Sequence, residues 1–135
     1  PSLVFDEADA TRFSDAAAAR LPVPSACEPR HASWFAPEVD AWLKGRRIAR
    51  VAADPAPVSG AGAPGGWRGL TYIRLHGAPR VYYSAYSPET LAATAERLRR
   101  EAADAPTWCV FDNAAAGHAL PNALTVMAAS GQEPK

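Results

Sequence analysis

The chain is predicted to be an α/β protein built from parallel βα repeats, and three observations lead there. Short apolar runs alternate with helical or proline-rich segments along its 135 residues. Strands separated by such crossovers imply a parallel sheet with right-handed connections. Four of the runs end in polar, titratable or amide groups: Cys27-Glu28-Pro29-Arg30-His31, Val51-Ala52-Ala53-Asp54, Thr71-Tyr72-Ile73-Arg74-Leu75-His76-Gly77 and Cys109-Val110-Phe111-Asp112-Asn113. Ligands of parallel α/β proteins bind at the carboxyl ends of the strands, so this pattern points to a site. Composition agrees: 48% hydrophobic and 21% charged residues are ordinary for a globular chain.

The elements follow in order. Residues 6–20 are alanine-rich and polar on one side, which predicts a helix with Phe13, Ala17 and Leu21 near one face. Residues 24–31 read as the first strand. After Trp34 and Phe35, Pro37 takes a first helical position, and the helix runs to about Lys44, burying Val39, Trp42 and Leu43. Residues 47–54, rich in Val, Ile and Ala, form the second strand. From Pro55 to Gly69 prolines and glycines break every apolar period, so a loop without a helix replaces the helix of a regular repeat. Residues 70–76 form the third strand. Ser87-Pro88-Glu89 then opens a helix: serine caps, proline sits first, and glutamate meets the positive helix end. Leu91, Ala95, Leu98 and Ala102 give its buried stripe, and Arg97, Arg99 and Arg100 a solvated face. Residues 107–113 form the fourth strand. The last helix begins near Pro121-Asn122, with Leu120, Ala123, Leu124 and Met127 marking its buried face, and the tail after Ser130 is expected to fray. Four such units make about half of a (β/α)₈ barrel, which needs about 250 residues. On pattern alone an open four-stranded sheet competes with it.

Charge and motifs exclude several classes. Fourteen basic and fourteen acidic residues leave a net charge of zero, which disfavours nucleic acid or an anionic membrane as partner. No apolar run approaches the roughly 20 residues that span a bilayer, so no membrane is expected. Cys27 and Cys109 fall in predicted strands and read as buried free thiols in a reducing cytoplasm. Without a Cys-x-x-Cys pair there is no structural zinc signature. There is no Walker loop, no dinucleotide-binding glycine motif after a strand and no nucleophile elbow. His31 and His76 lie on separate strands near carboxylates, but nothing has the tight local spacing of a metal motif, so no metal is assigned and no cofactor is named.

Glu28-x-Arg30-His31-x-Ser33-Trp34-Phe35, Asp54-Pro55, Tyr72-x-Arg74-Leu75-His76-Gly77, Tyr86-Ser87 and Phe111-x-Asn113, followed by Gly117-x-Ala119-x-x-Asn122-Ala123, together resemble the YecE-like family, domain of unknown function 72. The order and spacing match from about Ser2 to Met127. The resemblance implies a TIM-barrel-like fold of which this chain is the C-terminal half, and it brings no reaction with it. Two positions depart from the family pattern. Pro29 stands where a bulky apolar residue is usual and removes a ladder donor, and Asp112 stands where asparagine is also common.

The candidate site residues follow from the strand ends. Arg74 and His76 have the same parity and point to one side of their strand. Arginine offers a fork for phosphate or carboxylate, and histidine exchanges a proton near neutral pH. Glu28 and Arg30 also share parity and read equally as an internal ion pair or as chemistry. Asp54 reads as a base, a metal ligand or a partner of Arg74. His31 serves the ligand or caps the following turn. Asn113 positions a ligand or satisfies backbone groups. Tyr82 and Tyr86 stack on a base or sugar, or pack with the hydroxyl in water. The expected roles are catalytic for His76, Glu28 and Asp54, and substrate-binding for Arg74, Arg30, His31, Asn113 and Tyr86. The first functional expectation is an enzyme acting on a phosphorylated or otherwise anionic small molecule. The alternative is a non-catalytic module that binds nucleic acid or a metabolite. Four units cannot close a barrel, so the open edges predict a longer protein, a second copy or a separate N-terminal half packed against this one.

Overall fold

Helices and strands alternate along residues 3–131, which the computed structural model describes. Asp6 accepts a hydrogen bond from the Asp9 amide and starts α1 (Glu7–Arg20). β1 (Ser25–Cys27) is short because Pro29, two residues on, has no N–H for a ladder. The expected strand over 24–31 therefore ends at Cys27. A 3-10 helix (Ala32–Phe35) leads to α2 (Pro37–Gly45), which Pro37 opens as expected. The expected strand over 47–54 is divided at Val51 into β2 (Ile48–Arg50) and β3 (Ala52–Asp54). β4 (Gly65–Gly66) and β5 (Thr71–Leu75) come next. Ser87 caps α3 (Pro88–Ala102) by accepting from the Thr90 amide. β6 (Thr107–Phe111) and α4 (Ala119–Ser130) close the order, with Gly131 in the left-handed region after the last turn. The tail beyond Gly131 lies outside the described residues.

The protein is thus mixed α/β with parallel strands. β1 pairs with β2, β3 with β5, and β5 with β6, all parallel. The division at Val51 splits the ladder into two three-stranded sheets, β1-β2-β4 and β3-β5-β6. Val51 N still bonds to Cys27 O at 2.9 Å, so the chain runs on from one sheet into the other. The 55–69 segment contains no helix, as expected, but it does contain β4, antiparallel to β2. Gly66 is required there. Its φ is +61°, and a side-chain carbon would lie 2.6 Å from Ile48 O.

The sheet has two unlike faces. Ala52, Ile73 and Leu75 point to one side and form the core with Tyr86, Leu91, Ala95 and Val126, backed by Leu98, Cys109 and Phe111. α3 and α4 cover this side. On the other side the register sets Tyr72 beside Trp108 and Arg74 beside Val110. Ala26, Glu28, Val51, Tyr72, Arg74 and Trp108 line a groove of about 640 Å³ on that open face. Several burial expectations need correction. α1 has no buried residue, and Phe13 and Leu21 are exposed. α4 buries Asn122 and Val126, while Leu120 and Leu124 are exposed. α3 buries Thr94 in place of Ala102. Cys27 and Cys109 are free and half-buried, and burial pushes each thiol up to about 11, helped at Cys27 by the Glu28 charge. Among the described residues no helix is long and apolar enough to cross a membrane.

Candidate functional site

Strand parity divides the expected site residues into two groups. Glu28, Arg74 and His76 rise from the open face, at the carboxyl ends of β1 and β5. Their neighbour across the ladder is Asp112, just past β6, whose amide still bonds to Leu75 O at 2.8 Å. Arg30 folds back toward them. The five side chains form one network. Arg74 donates from Nη1 to Glu28 Oε2 at 2.6 Å and from Nη2 to Asp112 Oδ2 at 2.5 Å. Arg30 Nη2 donates to Glu28 Oε1 at 2.6 Å.

His76 occupies the centre and is only 2% exposed. Its Nδ1 faces Asp112 Oδ2 at 3.1 Å, which places a proton on Nδ1. Its Nε2 faces two different partners: Glu28 Oε1 at 3.0 Å and Arg30 Nη2 at 3.2 Å. With a proton Nε2 donates to Glu28, and without one it accepts from Arg30. Nε2 therefore lies within hydrogen-bond distance of both an acceptor and a donor. Burial raises the proton affinity of Glu28. The hydrogen bond and charge of Arg74, the His76 bond and the Arg30 charge outweigh it, so Glu28 titrates below the ordinary carboxylate value. Arg30, Arg74 and Asp112 are the accessible members, with side chains 33%, 31% and 34% exposed. Arg30 Nη1 and Nε, and Asp112 Oδ1, have no hydrogen-bond partner among the described residues.

The second group faces the helices. Asp54 Oδ1 accepts from the Tyr86 hydroxyl at 2.9 Å, and that hydroxyl accepts from Gly77 N at 2.8 Å. Asp54 does not pair with Arg74. Burial raises the Tyr86 hydroxyl's pKa against the Gly77 bond, and Asp54 adds to the rise. Asn113, fully buried, donates from Nδ2 to Ser84 O at 3.0 Å and to Asn122 Oδ1 at 2.8 Å. Asn122 Oδ1 also accepts from Tyr86 N at 3.2 Å. These four side chains clamp the 77–86 loop over the strand ends. His31 belongs to neither group. It caps the 3-10 helix, its Nδ1 accepting from Ser33 N at 3.2 Å. Among the described residues no three His, Cys, Asp or Glu side chains are grouped to hold a metal ion.

Asp112 is the site residue that sequence reasoning did not assign. Parity could have found it. It stands two residues beyond Val110, which the register sets beside Arg74, so it belongs beside His76.

The comparisons with known proteins concern the family and the fold. The family model described as "Protein of unknown function DUF72" matches residues 1–135. No curated protein matches the chain. A crystal structure of a DUF72 family protein from Enterococcus faecalis superposes with a TM-score of 0.78 at 18% identity, over 98% of this chain and 56% of that one. A DUF72 family protein from Thermotoga maritima superposes with a TM-score of 0.75 at 23% identity, over 94% of this chain and 53% of that one. The chain therefore spans little more than half the length of these structures.

Proposed function

This chain belongs to the DUF72 family, and we propose that it is an enzyme whose site at the strand carboxyl ends takes a phosphorylated or otherwise anionic small molecule. The observation that carries this reading is the double environment of His76 Nε2, which has a partner with its proton and another without it. A ring nitrogen set between a donor and an acceptor is suited to taking up and giving back a proton, as acid–base catalysis needs. Arg30 is the anion-binding group, since its Nη1 and Nε are free and a third of its side chain is exposed. Arg74 spends both terminal nitrogens on Glu28 and Asp112, so it positions those carboxylates. Glu28, held ionised, anchors both arginines. Asp112 is the outlet: Oδ2 faces His76 and Oδ1 is free to exchange a proton with bound substrate. Asp54, Asn113 and Tyr86 act through the loop that they hold.

The second reading, a non-catalytic metabolite- or nucleic-acid-binding module, is favoured by the mutual neutralisation of two arginines by two carboxylates. Net charge zero argues against the nucleic-acid form of it. We read the fold as the C-terminal half of a TIM barrel in the cytoplasm. Parallel strands with helices on one face, free thiols, and solved relatives nearly twice as long support this. The test is untargeted turnover of metabolites and short oligonucleotides by the full natural protein, beside Asp112→Asn, Arg30→Ala and His76→Ala. A consumed anionic compound whose turnover falls about 100-fold in Asp112→Asn supports the enzyme. A compound bound but never consumed, with equal affinity in Asp112→Asn, supports the binding module.

A further inference from the structure

The 77–86 loop presents one side chain that the site has not yet used. Gly77 starts the loop at φ +94°, where a side-chain carbon would lie 2.9 Å from Ser84 O and 3.0 Å from Asn113 Cβ. The chain doubles back on it. Arg80 N donates to Ser84 Oγ at 3.0 Å, Ser84 N to Arg80 O at 2.9 Å, and Asn113 holds Ser84 O. Within this fixed frame Tyr82 N donates to His76 O at 2.6 Å, and Tyr82 O accepts from Ala115 N at 3.1 Å. The backbone of Tyr82 is held at φ +69°, a left-handed conformation that glycine and asparagine adopt readily and bulky residues rarely do.

Burial accounts for only part of the tyrosine there. The residue is 43% exposed, so the ring is only part-buried, and its hydroxyl has no hydrogen-bond partner among the described residues. Its aromatic contact is with His76, ring centroids 5.9 Å apart and planes at 81°. An exposed aromatic ring is thus held in a strained backbone directly beside the buried centre of the network. Strain of this kind gathers where function demands a particular side chain.

We propose that Tyr82 is a specificity residue that stacks on a planar ring of the substrate while Arg30 holds the attached anionic group. This deepens the anionic-substrate reading and rests on it. The ligand class is a free mononucleotide or a similar ring-bearing phosphate. A nucleic-acid strand would need a row of cations for successive phosphates, and the chain has no net positive charge to supply one.

The test is calorimetric titration of the full natural protein with AMP, ribose 5-phosphate and inorganic phosphate. The expected result is AMP binding about 10-fold or more tighter than ribose 5-phosphate, the increment that one stacked base brings. Tyr82→Phe keeps that ratio. Tyr82→Asn, chosen because asparagine tolerates the left-handed backbone, brings it to about 1, with a melting temperature equal to or above that of the wild type. Equal affinity for AMP and ribose 5-phosphate in the wild type, or a ratio that survives Tyr82→Asn, overturns the stacking role and leaves the anion site standing. Failure of all three phosphates to bind the wild type overturns both.

Discussion

His76 shows how a single side chain decides what the network can do. It is buried between Glu28 and Asp112, so removing either carboxylate leaves cations without their partner. Glu28 is the more costly loss, since it joins Arg30, Arg74 and His76. Glu28→Ala is expected to destabilise the protein by about 2–4 kcal/mol in urea unfolding. The same carboxylate makes stability depend on pH. Its folded pKa lies below the ordinary value of 4.5. Its contribution is therefore complete above that value and is lost as the pH falls through the lower folded pKa. Urea midpoints of the wild type should drop between neutral pH and about pH 3, and Glu28→Gln should flatten part of that drop. A variant with an unchanged acid slope would show that Glu28 is not the linked group. Much of this was legible in the chain. The parity of Arg74 and His76 put those two on one face, and that of Glu28 and Arg30 paired those two, while the β5–β6 register extends the rule to Asp112. It also separates Asp54 and Asn113, which share parity with the core residues Ala52 and Phe111 and so turn away from the network. His31 escapes the rule because the strand has already ended at Cys27.

Among the elements, those with local signals were legible and those shaped by distant neighbours were not. Ser87, Pro88 and Glu89 write the start of α3 in three residues, and Pro37 does the same for α2. β4 has no local signal, because Gly65–Gly66 becomes a strand only by lying against β2, with Gly66 N donating to Asp40 Oδ1 at 2.8 Å. The leucines of α4 suggest burial, whereas the polar Asn122 is turned inward. The reason lies in the 77–86 loop, whose Tyr86 amide needs an acceptor and finds Asn122 Oδ1. Asn122→Ala removes that acceptor and leaves the Tyr86 amide and one Asn113 proton unpaired in the interior. The expected cost is about 1–3 kcal/mol. Amide exchange over residues 77–86 should accelerate more than exchange in β5, which keeps its ladder. Uniform acceleration across both segments would mean that the asparagine pair stabilises the whole core and does not specifically hold the loop.

At the scale of the whole molecule the two faces of the sheet pose different problems. α3 and α4 bury one face, but Tyr72, Val51 and Trp108 line an open groove on the other, and Trp108 is 61% exposed. β1 and β6 each pair along one side only among the described residues. Unpaired edges and an apolar face are features that proteins cover. Solved relatives that this chain matches over little more than half their length have further chain with which to cover them. The half-barrel reading makes a quantitative prediction at Trp108. If the face is covered in the natural protein, Trp108→Ala opens a cavity and costs about 3–5 kcal/mol. If the face is bare, the same change stays within about 0.5 kcal/mol, as exposed substitutions do. We expect the larger value in urea unfolding of the full natural protein. We also expect concentration-dependent association of the isolated 135-residue chain in sedimentation velocity, weakened by Trp108→Lys. A small cost in the full protein, together with a monomeric and cooperatively folding isolated chain, would favour an open α/β sandwich over a half-barrel. The groove beneath Glu28 and Arg74 would then face water, and the ligand would approach the network along the sheet face as well as from the strand ends.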